Sequence, residues 1–562
     1  MRTGTATNSR PILAFLLFLI SASLLVTEAF AAPRAKKKGT ELLTVEVTSR
    51  QDLTRVYMNL SSRPEYAVES LEGDTVLRIR LAGAVLSPGI SRLVPAGDER
   101  VTSIGVDEAS GAAVVNIRKG SGLTHDISVE EKGTYILAVT VRGEPRAAQE
   151  KKEEDSGAVS GARVGGYFKN ETAYRLSNPG QLSKVRNILY LESTGQLTDA
   201  ISYKTSGRAY HDAVFDLTNN YPADVEEDLG RDAQIRDFYA DFSMGAWDLR
   251  AGKQQIVWGE AVGLFFADVV NAKDLREFVL QDFDYIRKPQ WAADIEYTRE
   301  RFHLELVWSP FPEFNDFGLP GSEFPQAVPA PAGTVTLFNG TEEPSASISA
   351  SEVGGRVSYL SDGWDFSLFH LYTWDKFPAN LRTVVAPGVY LFTPEHKRIN
   401  ITGATFAKER GGVVFKGEFV YYQGKRFSVL DETDVDGVVE KDYLDYLLGV
   451  DYTFFEKVDF NFQFMQRVIF GFDDDIFREE RVRTSASVWF KTGFLDNRLE
   501  PELLVISSLE ELDMLLRAKL NYKFRGSWQA RIGLDVFDGP DDGIFGQYSS
   551  SDRVYAEVRY DF

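Results

Sequence analysis

Residues able to do chemistry are sparse and scattered in this chain. The five histidines, His125, His211, His303, His370 and His396, form no His-Glu-x-x-His pair, and no Gly-x-Ser-x-Gly turn presents a serine. Cysteine is absent, which removes thiolate metal sites, cysteine nucleophiles, disulfides and a lipid-modified N-terminal Cys. Acidic residues cluster at 224–228, 431–436, 473–475 and 538–542. Calcium takes oxygen ligands, yet none of these runs has the spacing of an EF-hand loop, and each reads as a solvated loop. No catalytic residue, metal ligand or cofactor is assigned on this basis.

One stretch carries a denser pattern: Gly252-Lys253-Gln254-Gln255-Ile256-Val257-Trp258-Gly259-Glu260, followed by Asp268-Val269-Val270-Asn271. Its period sets Trp258 and Glu260 at the outer end of a strand, ahead of a long loop. Asn271 is expected to cap a short helix, with Asp274 in its first turn and Leu275, Phe278 and Val279 on one face. Such a loop, also carrying Arg276, Glu277, Asp282, Asp284, Arg287 and Lys288, either folds inward and narrows a lumen or caps its neighbours outside. The constriction candidates are Trp258, Glu260, Asp268, Asn271, Arg276, Asp282 and Arg287. A second set lies near the end of the chain, where Arg517, Lys519, Arg531 and Arg559 alternate with Asp513, Asp535, Glu557 and Asp561. Opposed charges on one wall either set a transverse field that selects polar solutes or neutralise each other and brace the wall.

The elements that must position these residues are strands. Val554, Ala556, Val558, Tyr560 and Phe562 share one face of a strand, with Tyr555, Glu557, Arg559 and Asp561 on the other. Trp528, Ala530, Ile532, Leu534 and Val536 oppose Gln529, Arg531, Gly533 and Asp535, and Phe460, Phe462 and Phe464 oppose Asp459, Asn461 and Gln463. From near Arg163 to the last residue this theme predicts about eighteen strands, apolar face to lipid and polar face to lumen. Connections alternate between short ones (243–246, 298–301, 361–363, 455–457, 524–527) and long ones (211–233, 258–289, 310–351, 375–396, 424–441, 538–551). That alternation is expected of a barrel with short periplasmic turns and long external loops. Trp291, Tyr297, Trp308, Trp364, Tyr372, Trp374, Trp489, Tyr522 and Trp528 fall near strand ends, where interface girdles need rings with a polar edge. His370 shares an apolar face with Phe366 and Leu368 and reads as a girdle residue.

Composition agrees. Among 562 residues, aromatics reach 13% while hydrophobics are only 43%, a mixture rich in rings but wet. A net charge of -21 argues against nucleic acid as a partner, since phosphate neutralisation needs clustered Lys and Arg. Arg2 and Arg10 precede an apolar run from Ile12 to Val26 and a small-x-small site at Ala29-Phe30-Ala31, so residues 1–31 read as a secretory signal. Short apolar runs broken by turns fill 40–142 and predict a β-sandwich. Residues 143–161 are charged, small and without periodicity, and read as a linker before a barrel at 162–562.

Two resemblances attach to these segments. Arg55-Val56-Tyr57-Met58-Asn59-Leu60, Tyr66, Val76-Leu77-Arg78-Ile79-Arg80-Leu81, Val101-Thr102-Ser103-Ile104 and Val114-Val115-Asn116-Ile117 resemble the AMIN domain, a periplasmic β-sandwich. That resemblance implies contact with peptidoglycan. The Gly-x-Gln strand running into Trp-Gly-Glu and Asp-x-x-Asn resembles the proteobacterial outer-membrane family designated domain of unknown function 1302. It implies an outer-membrane barrel and names no substrate. Tyr560-Asp561-Phe562 is similar to the aromatic C-terminal signature read by the barrel-assembly machinery.

The fold class expected is all-β, a small periplasmic β-sandwich plus a large antiparallel transmembrane barrel in the outer membrane of a Gram-negative cell. The function expected is a porin-like channel or transporter, positioned by a cell-wall-contacting domain. A structural or assembly protein with a plugged barrel is the alternative, and a rim enzyme using His211-Asp212 or His396 is a third reading. Partners expected are outer-membrane lipid and lipopolysaccharide, the assembly machinery and peptidoglycan. Solute, direction and oligomeric state stay open.

Overall fold

The computed structural model describes most of residues 40–142, without 50–52, 64, 72–75, 87–92, 95–100, 110–111, 120–123 and 133. It also describes residues 162–562, except 199, 331, 332, 346, 456, 496 and 525. The expected signal (1–31) and linker (143–161) lie outside the described residues. The chain divides into two compact units, Met1–Ala158 and Val159–Phe562.

The first unit holds two five-stranded sheets. One contains Thr40–Ser49, Leu53–Leu60 and Thr134–Arg142; the other is built on Val76–Ala82 and Ala112–Lys119. Alternate residues of both sheets, among them Val56, Met58, Ile79, Val115 and Leu137, share one buried core, as period-two patterning requires of a sandwich. The short strands Ala84–Leu86 and Leu93–Val94 complete the edges of the two sheets.

The second unit is a closed barrel of eighteen strands, each paired antiparallel with the next. The strand Arg163–Arg175 pairs with the last strand, Arg553–Asp561, from Tyr167 opposite Asp561 to Arg175 opposite Arg553. Closure leaves no unpaired sheet edge, the condition for spanning hydrocarbon with strands. At one end the turns are tight: Asp362 (φ 49°) and Gly363 (φ 75°) both take the left-handed conformation that a two-residue hairpin imposes. The other end carries the long loops. Two of these loops contribute a three-stranded sheet of Val335–Phe338, Ala379–Ala386 and Val389–Glu395. The loop expected at 424–441 is shorter, because Val413–Ser428 and Val438–Phe454 keep pairing to Ser428 and Val438 across a bulge after Tyr422.

Side chains sort by parity. Leu368, Ile532, Phe238, Phe462 and Val558 are exposed on the outer face, whereas Gln463, Asn461, Arg517 and Asp535 are buried on the inner one. Rings gather at both rims: Trp247 packs tilted against Tyr297 (4.7 Å) and Trp528 against Tyr560 (4.9 Å) at the short-turn end, with Trp291, Trp308 and Tyr372 exposed toward the other. From Trp364 to Tyr372, at ~3.4 Å per residue, the strand path is about 27 Å, or about 20 Å once tilted by ~40°. That suits the apolar band of an outer-membrane barrel. Trp489 corrects the girdle assignment: it lies opposite Asn461 on the inner face and packs on the core inside the barrel. His370 is outward-facing and exposed, and its Nδ1 is 2.8 Å from the Thr402 hydroxyl.

Candidate functional site

Residues 255–289 connect the strands Trp247–Gln254 and Gln290–Arg299, and they turn into the lumen to form a septum. Side chains from strands around the barrel hold them there. Glu418 accepts the backbone N–H of Glu260 (2.5 Å) and of Ala267 (2.8 Å). Gln463 accepts from Val262 N–H (2.8 Å) and donates to the Val262 carbonyl (2.7 Å). Further round the wall, Arg517 donates to the carbonyls of Val279 (3.0 Å) and Leu280 (2.5 Å). Arg236 donates to the carbonyls of Asp284 and of Arg287. Loop backbone buried away from water must find such partners, and the inward polar positions of the strands supply them.

Glu277 is the ionic knot of the septum. It is buried and receives Lys184 and Arg186, with Arg553 at 3.7 Å. Burial alone would raise its carboxyl pKa, but Arg186, Lys184 and Arg553 hold it well below the usual carboxylate range. Arg276 sits beside it, paired to Asp274 (2.8 Å), Asp228 (3.2 Å) and Asp232 (3.5 Å).

The expected constriction residues all lie in this segment, in roles that differ from the sequence reading. The strand ends at Gln254, so Trp258 and Glu260 are not on it. Trp258 is buried inside the barrel, its Nε1–H donating to Glu305 (2.8 Å) and its ring 5.2 Å from Phe369. Asn271 caps no helix, and the only helix in the segment is Phe283–Ile286. Its Oδ1 takes Ile256 N–H (2.7 Å) and its Nδ2 donates to the Lys288 carbonyl (2.8 Å), so one side chain ties both ends of the septum. A helix through 278 is also blocked by Phe278, which adopts φ 52°. Asp268 pairs with Arg287 (2.5 Å), and Asp282 lies 3.5 Å from Arg531 on the wall. Gly259 is required by close approach, since a Cβ there would fall 2.6 Å from the Asp268 nitrogen.

The six lumen-charge candidates all face inward but divide in two. Arg517 and Asp535 are buried against the wall beside the septum, and Asp535 is shared between Arg517 (3.0 Å) and Arg553 (2.9 Å). They brace. Arg531 with Glu557 (3.1 Å), Lys519 with Glu502 (3.6 Å), and Arg559, which pairs with Asp561 (2.5 Å) and lies over the Tyr167 ring (3.9 Å), are less enclosed.

The septum separates cavities of different character. Toward the short-turn end, one of about 410 Å³ is lined by Trp258, Glu260, His303, Arg356 and Glu418. Another of about 530 Å³ is lined by Tyr239, Arg250, Asp282, Asp284, Arg287 and Arg559. Toward the long-loop end lies a cavity of about 390 Å³, whose walls include Phe265, Phe278, Ile399 and Ile401. Sequence reasoning placed Gln463 on the lumen face without a role and did not name Glu418, Glu305, Lys184 or Arg186. Strand parity marks them as inward polar groups, but nothing local to them says that a distant loop comes to meet them.

The two histidines named for a rim enzyme stand in different settings. His396 is buried, stacks on Phe314 (3.8 Å) and donates Nδ1–H to the Asp375 carbonyl (2.7 Å), while His211 pairs with Asp216 (2.7 Å) in solvent. Among the described residues no group of three or more His, Cys, Asp or Glu is arranged to hold a metal ion.

Among solved structures, the chain is similar to OccAB1 of Acinetobacter baumannii, at 10% identity over 72% of this chain and 97% of that one, with a TM-score of 0.45. It is similar to OccK2 (OpdF) of Pseudomonas aeruginosa, solved in complex with glucuronate, at 10% identity, 72% and 99% coverage and a TM-score of 0.41. It is also similar to OmpF of Salmonella typhi, solved in complex with daunomycin, at 10% identity, 71% and 97% coverage and a TM-score of 0.35. The barrel rests on its own hydrogen-bonded register and not on these likenesses. No curated protein matches in sequence. The model of one family, described as a protein of unknown function (DUF1302), matches residues 101–476, more than half of the chain, and the chain belongs to that family.

Proposed function

We propose that the chain is an outer-membrane channel of porin-like type whose passage is controlled by the septum 255–289. One observation carries the reading: a closed barrel with an apolar exterior holds, inside its lumen, a loop bonded to opposite walls with cavities on either side. Lipid and lipopolysaccharide are the partners of the outer surface. The C-terminal strand ending in aromatics is the segment for the assembly machinery, and residues 1–31 serve as the export signal. The N-terminal sandwich we assign as an AMIN-like module contacting peptidoglycan, supported by its two-sheet architecture. No chemistry is proposed, since His396 is walled in by Phe314 and its own backbone bond.

The extent of the septum's anchoring favours a second reading, in which the barrel is plugged and the protein anchors or assembles others. Conductance in a planar bilayer separates the two. A channel gives discrete openings that enlarge when residues 260–288 are deleted. A plugged anchor is silent in the full chain, and silence would overturn the channel reading.

A further inference from the structure

We propose that the outer cavity above the septum is a binding site for an uncharged, largely apolar small molecule carrying one hydrogen-bonding head group. The inference deepens the channel reading and rests on it, because the floor of the site is the septum itself. The cavity measures about 390 Å³, within the range usual for small-molecule pockets. Septum residues Phe265, Leu275 and Phe278 form its floor, and Ile399, Ile401 and Tyr422 form its wall. Apolar lining is not what a lumen needs for water or ions, which the charged cavities on the other side of the septum accommodate.

Charge balance makes the occupant neutral. Every cation lining the cavity already has a carboxylate: Lys273 has Asp268 (3.6 Å), Lys376 has Glu352 (2.7 Å), Arg467 has Asp445 (2.8 Å) and Arg483 has Glu479 (3.2 Å). The remaining acid, Asp375, has Lys425 (2.6 Å). An ionic ligand would bring an unpaired charge into this lining and find no free counter-charge, a cost that a neutral molecule avoids.

One lining residue, Asn315, keeps unused hydrogen-bonding capacity. Asn315 is 9% exposed, and its Oδ1 accepts Lys273 N–H (2.7 Å) while its Nδ2 has no hydrogen-bonding partner. Asp268 is 6% exposed, and both its oxygens already face cations, Oδ2 Arg287 (2.5 Å) and Oδ1 Lys273 (3.6 Å). A buried donor left open within an apolar chamber fits a group that accepts a hydrogen bond, as a hydroxyl oxygen does. The ligand class is therefore an aromatic or alicyclic alcohol or a molecule of like polarity, its ring body against Phe278 and Ile401 and its hydroxyl toward Asn315.

The test uses the full chain in phosphatidylcholine nanodiscs, with 2-naphthol as the neutral probe and naphthalene-2-sulfonate as its anionic counterpart. Equilibrium dialysis against empty nanodiscs should give saturable 2-naphthol uptake and at least about tenfold weaker uptake of the sulfonate. Ile401→Trp, which fills the chamber, and Asn315→Asp, which keeps the bond to Lys273 N–H but removes the free donor, should each weaken 2-naphthol by about tenfold. Heat-modifiable gel migration reports that each barrel is folded, and Asn315→Asp decides the matter if Ile401→Trp does not fold. Uptake no greater than in empty nanodiscs, equal binding of the sulfonate, or folded variants that bind like the parent would overturn the proposal. Binding is read without flux: saturable uptake by a silent barrel sinks the channel reading alone, and conductance without uptake sinks the site alone.

Discussion

Replacing Glu277 with Gln isolates the force that keeps the septum docked. The substitution retains shape and removes one negative charge from a buried group that receives Lys184 and Arg186, with Arg553 3.7 Å away. Breaking a buried ion pair from one side costs about 3–5 kcal/mol, mostly through the charge left behind. Each cation here has a second acid: Lys184 has Glu171 (3.5 Å), Arg186 has Asp212 (3.2 Å) and Arg553 has Asp535 (2.9 Å). The cost therefore falls at the lower end, about 3 kcal/mol, or roughly a hundredfold shift in the docking equilibrium. Glu277 takes no part in the ladder that closes the barrel, so the loss should appear as undocking and not as unfolding. The expected result is larger, flickering conductance in planar bilayers, with new tryptic cleavage after Arg276 or Arg287 and an unchanged barrel melting temperature. Conductance and cleavage identical to the parent would refute the reasoning. The pH sign follows from the same charges. With the carboxyl held below its usual range, its stabilisation is fully present above the unfolded-state value and is lost only as pH falls through the depressed folded-state value. Mild acid should therefore leave the parent docked.

Three further outcomes follow from other contacts. Burial is the main cause that holds His396 below the ordinary histidine value. Its neutral form fits the stack on Phe314, so the packing is intact above about pH 6.5 and weakens as pH falls from there toward the folded-state value. Proteolysis of the loop 375–397 should accelerate over that interval and lose the pH dependence in His396→Phe. Arg559→Glu, at the 530 Å³ cavity, should move the reversal potential toward cations in a salt gradient, whereas Arg517→Glu, in the buried brace, should reduce the folded yield. Trp258→Phe leaves Glu305 with Arg356 (2.8 Å) but removes the indole donor, and should lower stability to denaturant by about 1–3 kcal/mol.

Strand number and loop alternation were legible because side-chain period two is imposed by two solvents, lipid outside and a wet lumen within. Val554 to Phe562 shows it without any tertiary information. Trp489 was misassigned by residue type, although parity with Ser485 and Ser487 placed it inward, opposite Asn461. Asn271 was misassigned because local capping competes with tertiary partners. The Ile256 amide and the Lys288 carbonyl, distant in sequence, claim both ends of its side chain. The meeting of Glu277 with Lys184 and Arg186 was not legible at all, since charge pairs across a lumen leave no spacing to read.

The two kinds of attachment give the septum an unequal grip. Between Glu260 and Ala267 its backbone amides are held by Glu418 and Gln463, with the amide and carbonyl of Val262 both bonded to Gln463. From Arg276 to Arg287 the hold on the wall comes from long cationic side chains reaching carbonyls and carboxylates. A substitution at Glu277 leaves the bonds to Glu418 and Gln463 in place, whereas it removes the charge that gathers the cations around the second half. Removing the Glu277 charge is therefore expected to release the second half first, with the first half as its pivot. Phe278 lies in that second half and forms part of the apolar floor, while Asp282 and Arg287 border the charged cavity beneath. One swing of that segment would open the apolar vestibule to the charged cavities, so that occupancy above and charge below act on the same movable element.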